Sequence, residues 1–291
     1  MTTLVIRAYE RPPGSAKFRA ELRGYPKPAA PSLAASAPYE QQPELLSICR
    51  ASSNQTNTIL PLTMSTTQAT VDTFQAYVYY RSSCSGRLRI ALNLKGITPT
   101  YKYINLVKKE QHTDEYTLIN PSHTVPTLII TSPSGGTPVK LTQSIPALEY
   151  LDEAYPSMRP LLPKNLATRA TVRTLTAIIA ADVQPITNLA ILNRVEAFGG
   201  DKAVWAREIM TQGFLAYEAI AKDTAGEFSV GDEISMADVC LVPAVWGAER
   251  FGVDFGAMPT VKRVYERLAA MEEVKKAHWS RQEDTPEELR A

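Results

Sequence analysis

Between Gln75 and Leu151 the apolar residues switch repeatedly between strand-like and helix-like spacing, whereas beyond Pro163 only helical spacing persists. A chain with that change of rhythm needs one mixed sheet-and-helix core and one purely helical core, so two folded domains are expected. In the first, residues 76–80 read as a buried strand, and the polar break Arg81-Ser-Ser-Cys-Ser-Gly-Arg87 precedes a helix face of Leu88, Ala91 and Leu92. A second strand follows at 101–106, then a polar helical segment at 111–118 closed by Asn120-Pro121. A third strand spans 124–130 with Pro126 at its entrance, the 133–136 Pro-Ser-Gly-Gly turn leads back through 139–141, and Ser144 is placed to cap a helix carrying Ile145, Leu148 and Leu151.

A proline-punctuated linker over 155–163 ends that half. Helical spacing then covers 168–198, with a kink expected at Pro185, and 202–224, 235–249 and 260–276. Ser235 and Asp238 fit a capping box, with Ile234 and Val239 as its hydrophobic staple, which makes Asp238 structural. The closing residues, RQEDTPEELRA, read as a solvated end.

Residues 1–63 are a different kind of sequence, holding eight of the 21 prolines among Ala, Ser and Gln, and are expected to be disordered. The domain expectation is therefore an extension over 1–72, a mixed domain over 73–155 and a helical domain over 164–291. Seven basic residues against four acidic ones in 1–63 allow a weak organelle transit peptide. The plainer alternative is an appended tail, with Met64 as a serviceable start.

A formal charge of +1 creates no global field for nucleic acid or an anionic membrane, and favours a small neutral or mildly anionic substrate. Cys49, Cys84 and Cys240 are too few and too scattered for a disulfide framework, which points to a reducing, cytoplasmic compartment. No run approaches the roughly 18 to 20 apolar residues of a membrane span. Phosphate loops, dinucleotide glycine fingerprints and basic aromatic stripes are not found, and His112 and His123 read as loop polar groups rather than metal ligands.

The order βαβα then ββα is a thioredoxin-like arrangement, in which Pro126 is a candidate cis-proline. Ser82, Ser83 and Cys84 fall where a strand ends and a helix begins, among free backbone N–H groups and the positive end of the helix dipole. Such a place favours a bound thiolate, and a serine hydroxyl there can donate to its sulfur. A plain helix N-cap is the competing reading of the Ser-Ser pair. A rival reading makes Cys84 the activated thiolate itself, although Arg87 occupies the second position of a Cys-x-x-Cys pair. Cys240 reads as a small core residue.

The run from Arg81 to Leu92, RSSCSGRLRIAL, resembles the signature of zeta-class glutathione transferases. The likeness continues colinearly through INL at 104–106, NP and VPTL within 120–128, QS at 143–144, QP at 184–185 with NL at 188–189, VGDEISMADVCLVP at 230–243, AERF at 248–251 and DTPEELRA at 284–291. It implies a thioredoxin-like domain followed by an all-helical one, glutathione as cofactor and a homodimer. The implied activity is glutathione-dependent cis-trans isomerisation of maleylacetoacetate to fumarylacetoacetate in phenylalanine and tyrosine breakdown. Two alternatives are conjugation or dehalogenation of small α-halo acids, and a non-catalytic glutathione-binding module. By the same resemblance Ser82 activates the glutathione thiol, with Ser83 and Cys84 assisting and Ser85, Gly86 and Arg87 in the binding segment. Val125 pairs with the cysteinyl main chain, Gln143 and Ser144 receive the γ-glutamyl carboxylate, and Gln111 meets the glycyl end. Gln184, Asn188 and Leu189 contact ligand from the helical half, with Ala190 replacing a serine of close relatives. Arg87 and Arg250 are the candidates for substrate carboxylates, and Gly86, where relatives carry a bulky side chain, is expected to widen the mouth of the site.

Overall fold

The computed structural model describes residues 71–291 of the chain; the readings of the extension, of Cys49 and of Met64 as a start lie outside the described residues. The first half contains β1 (Thr73–Val78), α1 (Ser83–Leu94), β2 (Thr100–Tyr103), α2 (Asp114–Ile119), β3 (Thr127–Thr131), β4 (Val139–Leu141) and α3 (Ser144–Ala154). The sheet order is β2-β1-β3-β4, with β2 parallel to β1 and the other two pairs antiparallel. Phe74, Ala76 and Val78 alternate inward along β1 and pack with Leu88, Leu92, Leu128, Ile130 and Leu151 in a core beneath the sheet.

Several boundaries differ from the sequence expectation, for local reasons. β1 ends at Val78, because the Tyr79 carbonyl accepts from Ser82 N (3.1 Å) and turns the chain although the aromatic run continues. The polar break is itself helical: α1 starts at Ser83. Ser144 is the first residue of α3 rather than its cap; Gln143 holds the cap position without a side-chain bond. The peptide between Val125 and Pro126 is cis, as the proline's position suggested.

The second half comprises α4 (Leu166–Ala177), α5 (Leu189–Ala197), α6 (Lys202–Thr224), α7 (Met236–Arg250), α8 (Pro259–Ala269) and α9 (Glu272–Ala277). Pro185 does more than kink the first long helix. The chain widens into a π-helical turn at Ile178–Val183, tightens into a 3-10 turn at Gln184–Ile186, and restarts with Asn188 capping α5. This interrupted stretch, Leu166–Ala197, is long and apolar enough to cross a membrane by length and composition alone, contrary to the sequence count. Its Val172, Leu175, Ile179 and Val183 instead enter the main helical core.

α7 runs through the centre of that core, buried over nearly its whole length. Its N-terminus is fixed as expected: the Asp238 carboxylate accepts from Ser235 N (2.8 Å), Ser235 Oγ (2.9 Å) and Ser229 N (2.9 Å). α1 serves both cores, placing Leu88 and Leu92 under the sheet and Ile90, Ala91 and Leu94 against the helical half. Gly86 is where α1 approaches α7: a Cβ there would stand 3.0 Å from Pro243 and 3.1 Å from Trp246. Gly86 therefore permits close helix packing and does not widen a mouth.

Arg89, a charged residue that ordinarily faces solvent, is buried and donates to the carbonyls of Tyr79, Tyr80 and Ala277. One further expectation is corrected. The C-terminal segment is not a solvated end, because Gln282 and Thr285 are buried and Asp284 reaches back to Tyr80.

Candidate active site

A cleft of about 1040 Å³ gathers residues of both halves, including Ser82, Ser83, Cys84, Arg87, Gln111, Val125, Gln143, Ser144, Gln184, Asn188, Leu189 and Arg250. Ser85 and Gly86 do not line it: Ser85 is fully buried, its Oγ accepting from Tyr79 N at 3.3 Å, and Gly86 faces α7. Helical periodicity decides this, since consecutive residues of the first turn of α1 point in different directions and only part of the turn faces the cleft.

Ser82 has two capacities at one oxygen. Its Oγ accepts from Ser85 N (3.1 Å) as the cap of α1, which leaves the hydroxyl hydrogen available for donation. The two readings left open by the sequence are thus compatible. Cys84 is partly exposed in the same turn, whereas burial pushes the Cys240 thiol up to about 11. Cys240 is the inert core residue expected, since so high a pKa leaves little thiolate at neutral pH.

Arg87 lies behind this turn rather than on the surface. It is 1% exposed, and its Nη1 is 3.3 Å from Ser144 Oγ and 3.7 Å from Cys84 Sγ. Its Nε and Nη2 are buried with no hydrogen-bond partner, as is Gln111 Oε1, also in the cleft. Unpaired buried polar atoms are costly and mark places where a ligand or water completes the bonding. The arrangement suits glutathione: main chain at Val125 beside the cis-proline, an anion-favouring helix start at Gln143 and Ser144, and a cation behind the thiol position.

Arg81 is a site residue that sequence reasoning passed over, although it opens the matched motif. It lines the cleft with Arg250, whose pKa is pushed below the usual arginine value first by burial and then by the like charge of Arg81. Among the described residues neither arginine has a salt-bridge partner. Two unneutralised guanidinium groups on one wall select for an anionic ligand. Lys109, His112 and His123 also line the cleft. The imidazole rings lie 4.9 Å apart and His123 Nδ1 is 2.9 Å from the Gln111 carbonyl oxygen, so these loop residues brace the Gln111 segment. Asn188 supports its own helix, accepting from Ile191 N and donating to Pro185 O.

A thioredoxin-like domain with a capped helix start facing a helical domain across an anion-selective cleft defines a glutathione transferase scaffold. Residues 81–154 match the glutathione S-transferase N-terminal domain family and residues 186–272 its C-terminal domain family. The chain belongs to the glutathione S-transferase family. Proteins to which the chain is similar include maleylacetoacetate isomerases. That of Emericella nidulans is 57% identical over 74% of this chain and 95% of its own length, and that of Mus musculus 45% identical over 74% and 96%. A crystal structure of maleylacetoacetate isomerase from Anaeromyxobacter dehalogenans, with dicarboxyethyl glutathione and citrate bound in the active site, aligns with a TM-score of 0.67 at 36% identity, covering 74% of this chain and 95% of the other.

Proposed function

We propose that this protein is a glutathione-dependent cis-trans isomerase converting maleylacetoacetate to fumarylacetoacetate. The observation that carries the reading is the position of Ser82: it caps α1 through its oxygen and faces, in one continuous cleft, both the Val125 docking edge and the Arg81 and Arg250 pair. When bound, glutathione supplies a thiolate that adds reversibly to the activated cis double bond and departs after rotation about the resulting single bond.

The protein's residues make that chemistry accessible. Ser82 Oγ–H donates toward the sulfur position while the free amides at the start of α1 and the charge of Arg87 favour the anion there. Val125 holds the cysteinyl main chain, and Gln143 with Ser144 holds the acidic γ-glutamyl end, so the sulfur is presented in one orientation. Arg81 and Arg250 bind the substrate carboxylates and stabilise negative charge that develops as the double bond is attacked. Family membership further makes a homodimer in the cytoplasm the expected form.

The test is isomerisation of maleylacetone by the full-length chain, with and without glutathione. Rapid conversion that requires glutathione is expected. Glutathione binding without turnover, or turnover on dichloroacetate alone, overturns the reading.

A further inference from the structure

The turn that carries Ser82 is held in place by a part of the chain that lies beyond the C-terminal domain match, which ends at residue 272, although its DTPEELRA run belongs to the wider likeness. Every backbone polar group of Tyr79 and Tyr80 has a partner in this region. Tyr79 N donates to Ser85 Oγ (3.3 Å), and Tyr79 O accepts from Ser82 N (3.1 Å) and Arg89 Nη1 (3.4 Å). Tyr80 O accepts from Arg89 Nη2 (3.1 Å), and Tyr80 N donates to Asp284 Oδ2 at 2.8 Å across 204 residues of sequence.

The remote end of this bond is itself braced. Arg290 donates to the carbonyls of Glu283 and Thr285 (2.8 Å each), clasping the Asp284 loop from both sides. Glu283 accepts from the Tyr103 hydroxyl at the end of β2 (3.2 Å), and the Thr285 hydroxyl donates to the carbonyl of Trp279, a residue that lines the cleft. Arg89 closes the circuit by donating to Ala277 O (3.1 Å) at the end of α9. An isolated solvated tail needs none of these bonds; a strap that fixes a turn needs all of them.

We propose that Asp284 is a positioning residue for Ser82, and that residues 278–291 form a C-terminal strap setting the geometry of the Tyr79–Ser82 turn. The inference rests on the role of Ser82 in the function proposed above. Without the strap, Tyr80 N loses its acceptor and the turn gains freedom, so Ser82 is directed at the sulfur for a smaller fraction of the time, while glutathione is still held by Val125, Gln143 and Ser144.

The test compares Asp284→Ala, Asp284→Asn and, as a control on the same segment, Glu288→Ala at an exposed position, all in the full-length chain. Three readouts are needed: amide exchange of the 79–85 peptide, turnover, and glutathione affinity. For Asp284→Ala, exchange over 79–85 is expected to rise about tenfold through local opening. Turnover should fall about tenfold from misplacement, with glutathione Kd changing less than about twofold. Asp284→Asn keeps an acceptor oxygen and should restore most of both properties, and Glu288→Ala should match the native chain. Unchanged exchange and turnover in Asp284→Ala, an Asp284→Asn variant as impaired as Asp284→Ala, or a lower melting temperature with no local exchange change each overturn the proposal. Because amide exchange needs no substrate, it judges the strap even if the native chain fails the maleylacetone assay, in which case only the functional reading falls.

Discussion

Ser82 Oγ lies 3.1 Å from the backbone nitrogen of Ser85, and this one contact makes the serine proposed to act on the glutathione thiol also the cap of α1. The two roles separate by substitution. Ser82→Ala should lower turnover about 100-fold, the scale of losing one aimed donor, and cost about 1 kcal/mol of stability as a lost cap. Ser82→Asp retains a capping oxygen but puts a negative charge, and no donor, beside the sulfur. Near-native melting with turnover at least as low as Ser82→Ala is expected; recovery of activity in the aspartate variant contradicts the donor role.

Arg87 is a charge held inside the protein with two of its nitrogens unpaired, a stability cost that a bound ligand or water offsets. Arg87→Met, close in length and apolar, should therefore melt no lower than the native chain while glutathione binds about tenfold more weakly, the scale of one charged hydrogen bond. Calorimetric titration beside thermal melts checks both halves. A destabilised variant with native affinity places Arg87 in the scaffold alone.

Arg250 shares its wall with Arg81, and its guanidinium sits 4.9 Å from the centre of the Phe251 ring, which limits where it can point. Arg250→Ala should raise KM for a substrate carrying a carboxylate about tenfold, again one charge-assisted bond, with a smaller effect on glutathione affinity. Steady-state kinetics with each ligand varied in turn resolves the two. An unchanged KM removes Arg250 from substrate recognition.

His278 sits between the rings of Trp246 and Trp279, and its Nδ1 lies 3.2 Å from Ser280 N and 2.7 Å from Ser280 Oγ. Burial first, then the charges of Arg281 and Arg89, lower its pKa below 6.5. A base with a depressed folded pKa contributes stability that is complete above the unfolded value and is lost as pH falls through the folded one. Melting temperature should therefore drop on acidification below pH 6.5 by this contribution. Asp284 nearby works in the opposite sense, its pKa raised by burial, so the informative quantity is the difference between the native chain and His278→Gln. That difference should shrink as the native histidine is protonated. A pH-independent difference assigns no titration to His278.

The match between sequence and structure follows the range of the forces involved. β1, α1, the β3–β4 hairpin and the capped start of α7 depend on alternation, turn residues and neighbours a few positions away, and each was legible in the sequence, with ends displaced by a few residues. The cleft positions of Ser82, Gln111, Val125, Gln143 and Arg250 were legible through the family resemblance, since motif order preserves which loops meet. Ser85 and Gly86 were misassigned because a motif does not say which way each residue of a helical turn faces. Both point inward, one toward the Tyr79 amide and the other into the α1–α7 contact.

The sequence by itself determined that a mixed domain precedes a helical one, that Pro126 enters a strand, and that Ser82 stands at a helix start able to stabilise an anion. Periodicity, capping and turn chemistry act over a few residues and are written into local order. Only the tertiary structure decided that Arg87 and Arg89 are buried, that Arg81 stands beside Arg250, and that Asp284 supports the turn before Ser82. Those facts depend on which groups lose water when distant segments pack, and a charge or a carboxylate reads the same in a linear sequence whether it ends in solvent or beneath the active site.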